Sequence, residues 1–353
     1  MIGYYVHHVG HGHLSRARSI ARALDEPVTV LSSLRRPAAW HGEWIELPSD
    51  EPVAGETNLE PDAGGRLHWV PLGHDGLRGR MAAISTWIDR ARPRALVSDV
   101  SVEVTLLARL HGVPVVGVVL PGDRDDEAHR LGFAVCSALI AAWPPSATGM
   151  VEGFAAADLA RLEPVGAISQ HAPVAIDAEH RMRAARPDSE TRPTSRAGHR
   201  RVVVLAGGGG DVFDDGMLER ARAETPGWEW ELIGGRHGRW VEDPWPLLLA
   251  ADVVVTAAGQ NSLAEVAAAR RPAVVLPQDR PHDEQRTTGR VLASAAWPAV
   301  VLDALPTQGW GAILHDALAQ DTGLWSDWND GRGAERAASV IRRVAGSPSG
   351  AQE

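Results

Sequence analysis

The chain contains no lysine; all 35 of its basic residues are arginine. Two chemistries are thereby excluded. A Walker-type phosphate loop needs a lysine on the nucleotide phosphates. A pyridoxal Schiff base needs a lysine amine. Cysteine is nearly as scarce: the single Cys136 rules out an intrachain disulfide and a cysteine-based zinc site. Tyrosine and phenylalanine number two and three, against 13 tryptophans. Indoles stack on sugar faces but more often fill cores, so none is assigned to a substrate. No apolar run reaches the roughly 18 residues of a membrane span. The start, Met1 to His8, reads directly as a strand, without the basic and apolar regions of a secretory signal. With one cysteine, a cytoplasmic protein is the simplest expectation. A net charge of −10 argues against a nucleic-acid partner. Peripheral contact with a membrane surface stays open.

What is present is a repeated alternation of short apolar strands and amphipathic helices. A chain of 353 residues suits two domains. In the first half, strands are expected at Ile2–Val6, Val28–Leu31, Ala95–Ser98, Val115–Val119 and Ala138–Ala142. Helices are expected at Ser15–Leu24 and Val102–Leu110. Such alternation implies a parallel sheet covered on both faces. From about 177 the pattern gives way to Arg, Pro, Ser, Thr and Asp, read as a linker with a short helix near 179–185. Alternation restarts at Arg201. Strands are expected at 201–205, 229–233, 253–256, 273–276 and 299–302. Helices are expected at 216–224, 262–269, 283–295, 311–319 and 333–344. The expected division is a first α/β domain over 1–175, a linker over 176–199 and a second α/β domain over 200–330. A final helix and tail over 331–353 follow, the helix packing back on the first domain. No repeat of solenoid period is present.

Two constellations carry chemistry. The first, Gly10-His11-Gly12-His13-Leu14-Ser15-Arg16, lies between the first strand and first helix. Glycine lets a ligand approach the backbone closely. A neutral histidine beside a helix start can accept a proton near neutral pH. His13 is favoured over His11, and His7 and His8 read as structural or cleft-lining. A metal cluster of these four is disfavoured, because alternate strand residues point to opposite faces. Asp99, closing its strand, either orients His13, binds an acceptor or caps the helix that begins near Ser101.

The second runs from the strand 253–256 through Gly259, Gln260, Asn261 and Ser262 into a helix carrying Glu265. It continues through a strand ending at Pro277 to Asp283, Glu284 and Gln285. The amides that open a helix stabilise a diphosphate without lysine. Asn261 and Ser262 add donors, and Glu265 can accept both hydroxyls of a ribose. The plainer reading makes Asn261 or Ser262 a helix cap and Glu265 a surface acid.

In this order the elements resemble the donor half of GT-B glycosyltransferases, especially the family of the N-acetylglucosaminyltransferase that forms lipid II. The resemblance implies a GT-B fold: two Rossmann-like domains facing a cleft, acceptor on the first and donor on the second. It implies Gly259 to Ser262 on the diphosphate and Glu265 on the ribose. It also implies Gln285, with Asp283 or Glu284, on the sugar. The turn near His13 resembles the same family's glycine-rich N-terminal loop. Gly208 and Gly209 then belong to a turn facing the cleft, Arg236 to diphosphate neutralisation, and the backbone near Val241 to base recognition. Three positions depart from the family pattern: Gln260-Asn261 in the turn, Arg270-Arg271 before Pro272, and Arg286 after Gln285.

The expectation is an enzyme that moves a sugar from a nucleotide donor, UDP-linked by the resemblance, to an acceptor. It uses no cofactor or metal, and His13 is the base. The motif Gly10-x-Gly12-His13-x-x-Arg16 also resembles nucleotide-sugar hydrolases of the same fold. A non-catalytic sugar-nucleotide-binding protein is the alternative from another class.

Overall fold

The computed structural model describes residues 1–8, 11–52, 58–175, 199–207 and 212–346. The linker expected over 176–199, with its helix near 179–185, lies almost wholly outside the described residues. So do Gly10, Gly208, Gly209, the side chain of His11 and the tail beyond 346. The chain divides into two compact units. Unit 1 comprises Met1–Ala142, Val151–Val165 and Ala334–Glu353; unit 2 comprises Trp143–Met150 and Gly166–Gly333.

Unit 1 is built on a parallel sheet. Its strands are β1 (Ile2–Val6), β2 (Val28–Ser32), β3 (Glu43–Glu46), β4 (Ala95–Asp99) and β5 (Val115–Val119). A short β6 (Gly122–Asp123) pairs with β8 (Val151–Glu152) apart from it, and β7 (Ala138–Ala141) and β9 (Leu162–Pro164) complete the main sheet. The order is β3-β2-β1-β4-β5-β7-β9. Every residue of β1, β2, β4, β5 and β7 is buried, as expected where helices cover both faces. Packing is close: a Cβ added to Gly3 would lie 2.5 Å from the Trp87 ring. The first helix, α1 (His11–Ala23), begins before the expected Ser15. First-turn amides have no intrahelical partner, so Gly12 costs little there and the helix runs back to His11. His13 therefore lies in a helical first turn and not in a loop. The other helices of this unit are α2 (Asp75–Ala91), α3 (Val102–Leu110), α4 (Glu127–Ala134) and α5 (Ala156–Leu159).

Unit 2 holds a second parallel sheet. Its strands are β10 (Arg200–Ala206), β11 (Trp228–Gly234), β12 (Val253–Thr256), β13 (Ala273–Val275) and β14 (Ala299–Val301), in the order β11-β10-β12-β13-β14. Its helices include α6 (Asp215–Glu224), α7 (Trp245–Ala250), α8 (Gln260–Ala268), α9 (Glu284–Ser294), α10 (Trp310–Leu318) and α11 (Trp325–Trp328). Tryptophans fill the interior as expected. Trp310 and Trp230 meet edge-on at 5.0 Å between ring centroids, and Trp310, Trp325 and Trp328 are all buried. The final helix, α12 (Gly333–Gly346), is tied to unit 1. Arg336 donates to the Val165 carbonyl at 2.7 Å, Arg342 to the Ala23 carbonyl at 3.1 Å, and Arg343 pairs with Glu163.

In each sheet the chain leaves its first strand to one side and later returns to the other. That creates a switch point between β1 and β4 in unit 1, and between β10 and β12 in unit 2. Ligands of open α/β sheets bind beyond the carboxyl ends of strands at such points.

Candidate active site

The switch point of unit 1 places the two halves of the first constellation together. β1 and β4 pair in parallel with Val6 opposite Asp99. The segment after β1 turns into α1, so His13 and Arg16, three residues apart, share the helix face above the end of β4. Asp99 is completely buried. His13 Nδ1 lies 2.8 Å from Asp99 Oδ1. Arg16 donates through Nε to Oδ2 at 3.1 Å and through its terminal nitrogen to Oδ1 at 2.7 Å. Burial pushes the Asp99 carboxyl upward, but the charges and hydrogen bonds of Arg16 and His13 outweigh it and hold the group well below the usual carboxylate range. An ionised carboxylate only accepts. The shorter contact at Nδ1, that with Asp99, is satisfied by the tautomer with the proton on Nδ1, which leaves the Nε2 lone pair open; the Arg16 terminal nitrogen also lies 3.1 Å from Nδ1. Ser101, not Asp99, caps α3 by accepting from the Val104 amide at 3.2 Å, which removes the capping role considered for Asp99.

Around this pair the imidazoles form an array. His7 stacks on His8 at 4.8 Å between centroids and lies 5.7 Å from His13. Burial, then the neighbouring His13 and His8, push His7 down to about 4, so it is neutral near pH 7. A pocket of about 420 Å³ opens in unit 1 against His7, His8, Asp50, Glu51, Arg80 and Glu103. His68, Asp126 and His129 form a separate chain. The Asp126 carboxylate caps α4, pairs with His129 Nδ1 and lies 3.2 Å from His68 Nε2.

In unit 2, α8 opens directly beyond β12. Gly259 is its N-cap, so neither Asn261 nor Ser262 fills that role, and both lie in the first turn. A Cβ added at Gly259 would meet nothing within 4 Å, so the space before the helix start is open. Glu265, one turn on, is not a surface acid. Its Oε2 accepts from the Ser169 hydroxyl and its Oε1 from the Gln170 amide, each at 3.0 Å. Burial raises its pKa, against the lowering by the Gln170 amide, His171 and Ser169. His171 in turn stacks on Trp245 at 4.3 Å with planes 9° apart. Trp245 begins α7, directly after the loop that contains Val241, and Arg236 lies in the turn beyond β11.

The acidic-Gln segment is arranged differently for each member. His282 and Asp283 both adopt left-handed backbone, with φ of 60° and 53°, and Asp283 caps α9 without a side-chain bond. Glu284 is half-buried. Gln285 is buried and turned inward, its Oε1 accepting from the Gln278 amide at 3.0 Å, so it braces the loop after β13.

No protein-family model matches the chain. A curated relative, the UDP-N-acetylglucosamine–N-acetylmuramyl-(pentapeptide) pyrophosphoryl-undecaprenol N-acetylglucosamine transferase of Chlorobium luteolum, is 30% identical over 136 residues. That stretch is 35% of this chain and 35% of that protein, about a third of each. The glycotransferase of kitacinnamycin superposes with a TM-score of 0.63 at 16% identity, covering 97% of this chain and 98% of that one. The spinosyn rhamnosyltransferase SpnG complexed with thymidine diphosphate gives 0.58 at 17% identity, covering 98% and 100%. The fold is that of the GT-B glycosyltransferases. The GT-B architecture expected from the sequence is thus found over nearly the whole chain, and its resemblance to the lipid-II-forming family is matched by the curated relative.

Sequence reasoning about this GT-B chain missed the pocket residues Asp50, Glu51, Arg80 and Glu103, and the Ser169–His171 segment. The only signal for Ser169 was indirect. A buried glutamate one turn into a helix needs donors, but a partner 96 positions away leaves no local trace.

Proposed function

We propose that the chain transfers a sugar from a nucleoside diphosphate donor to a nucleophilic acceptor, with His13 as general base and no metal requirement. The observation that carries this reading is the His13–Asp99 pair at the switch point of unit 1. In the tautomer that donates Nδ1–H to Asp99, His13 Nε2 can take a proton. Unit 2 supports the reading from the donor side.

In the proposed step, Nε2 of His13 removes the acceptor proton as the acceptor oxygen or nitrogen bonds to the sugar's anomeric carbon. The bond from that carbon to the diphosphate oxygen breaks, and its electron pair leaves with the nucleoside diphosphate. The α8 N-terminus, with Asn261 and Ser262 in its first turn, meets the charge that develops on the leaving group. Arg236, in the turn beyond β11, is a candidate cation for the diphosphate. Glu265 holds the ribose. A carboxylate offers about four lone-pair directions; Ser169 and Gln170 use two, leaving what a vicinal diol requires. Asp283 and Glu284 serve the sugar hydroxyls, with Gln285 as the loop's brace. The base is read by backbone near Val241. The nucleotide that uses both free positions of Glu265 is uridine diphosphate, after the donor named for the curated relative; thymidine diphosphate, the ligand of the spinosyn enzyme, would offer its 3′-hydroxyl alone.

Incubation with UDP- and TDP-sugars, with and without candidate acceptors and with a chelator, tests the reading by release of free nucleoside diphosphate. Acceptor-dependent release that survives the chelator is expected. Full release without acceptor would replace transfer by hydrolysis. Nucleotide binding without release would leave a binding protein.

A further inference from the structure

His68, Asp126 and His129 take no part in the His13–Asp99 pair, and all three belong to unit 1. Asp126 is the N-cap of α4 and accepts from the His129 amide at 2.9 Å. Three residues on, the His129 side chain shares that end of the helix, and its Nδ1 pairs with the Asp126 carboxylate. His68 approaches from the segment between β3 and α2. Glu103, in the first turn of α3, holds that segment by its backbone: one carboxylate oxygen accepts from the His68 amide at 2.8 Å and from the Trp69 amide at 3.2 Å. The His68 ring is thereby presented to the start of α4. Its Nε2 lies 3.2 Å from Asp126 Oδ1, and its centroid lies 4.4 Å from that of His129.

Two imidazoles and a carboxylate are a donor set for a divalent transition metal. One ligand atom from each lies within 4.8 Å of the others. Bonds of about 2.1 Å in tetrahedral geometry place ligand atoms roughly 3.4 Å apart. The His68–Asp126 separation of 3.2 Å already meets that spacing, and the His129 nitrogen has only to draw back from the carboxylate. The side chains of His68 and Asp126 are each 32% exposed, so an ion reaches them from solvent. Arg124 also bears on the cluster. Its Nη1 lies 3.3 Å from His129 Nε2, while Nε and Nη2 donate to the Leu120 and Pro121 carbonyls at 3.3 and 2.6 Å. Those carbonyls keep the guanidinium in place when His129 turns to an ion, so binding gives up one long contact.

We propose that His68, Asp126 and His129 form a binding site for a divalent transition metal, zinc being the ion best suited to this mixed nitrogen and oxygen set, with water in the fourth position. The ion displaces the protons that the two imidazoles turn toward the carboxylate. It ties the segment carrying His68 to the start of α4. His68 and Trp69 also line the pocket of unit 1, so the same tie fixes one wall of that pocket. The site stands apart from the proposed transfer step, which is assigned to His13 and uses no metal. Its role is to hold the fold around the pocket.

Calorimetric titration of zinc chloride into the full chain, freed of metal by a chelator and without donor, tests the site. One equivalent of zinc is expected to bind and to raise the melting temperature, since an ion held by the native state alone stabilises it. His68→Gln, His129→Gln and Asp126→Asn should each weaken zinc at least tenfold. Asparagine also caps helices, so Asp126→Asn removes the charge and keeps the start of α4. Cobalt(II) in place of zinc should give the wild type visible absorption bands of a nitrogen and oxygen site, and these should fade in all three variants. Failure of the wild type to bind zinc would overturn the proposal. Zinc affinity left unchanged by any one of the three substitutions would overturn it as well.

Discussion

Arg16 bonds both oxygens of Asp99, at 3.1 and 2.7 Å, and the carboxylate that orients His13 is thereby already neutralised by a buried cation. The carboxylate is thus shared: it holds the guanidinium through both oxygens and the imidazole through one.

The stability of Arg16 variants follows. Arg16→Met leaves the buried Asp99 carboxylate with His13 as its side-chain partner, so the melting temperature should fall by several degrees. Arg16→Lys, which keeps a cation beside the carboxylate, should lose less. Melting temperatures equal to the wild type in both variants would show that the pair carries no stability.

Removing the base itself should act on the chemical step. His13→Ala is expected to lower kcat by about a hundredfold or more, the usual range for a positioned proton acceptor. Donor affinity, measured by calorimetry, should stay unchanged. Asp99→Asn should also lower kcat, because an amide donor at that position favours the opposite imidazole tautomer. Full turnover by His13→Ala would dismiss it as the base.

Much of this arrangement was legible in the residues, for physical reasons. Strands buried on both faces are unbroken apolar runs, and β1, β4, β5, β10 and β12 stand out on that ground alone. The β3 strand did not, because its ends, Glu43 and Glu46, are exposed and its sequence reads as loop. Helix α2 escaped because Gly76 and Gly79 interrupt its apolar stripe, and α7 because Pro246 sits in its short span. His13 and Asp99 were readable as site residues, since one opens the helix after β1 and the other closes β4. The acidic wall of the pocket was not: Asp50 and Glu51 resemble any solvated pair until β3 and α2 bring them to His8.

On the donor side, Glu265→Gln should raise the donor KM about tenfold or more, as expected for hydrogen bonds to a charged group of about 1.5–3 kcal/mol. The kcat at saturating donor should change less. Competition by a 2′,3′-dideoxynucleoside diphosphate provides the check: it should bind the wild type and the variant alike. A wild-type preference for the hydroxylated nucleotide that survives the substitution would remove Glu265 from the ribose.

Stability should fall with acid below about pH 6.5. His7 is lowered to about 4 by burial and by its histidine neighbours, and burial, with the Arg124 and His68 charges, lowers His129 to about 4 against the pull of Asp126. Between those values and the unfolded histidine range, the unfolded chain binds protons that the native state refuses. The stabilisation is therefore complete above about pH 6.5 and is lost as pH falls toward 4. Melting curves from pH 7.5 to 4.5 should show the decline, and His7→Asn should shallow it. A flat profile would mean that both imidazoles titrate normally.

The hydrogen bonds from Ser169 and Gln170 to Glu265 have one more consequence. Those residues come just after the chain passes from Val165 of unit 1 to Gly166 of unit 2. The carboxylate assigned to the donor therefore also clasps the stretch where the chain re-enters its own unit, and a substitution at Glu265 would loosen that stretch as well as the ribose.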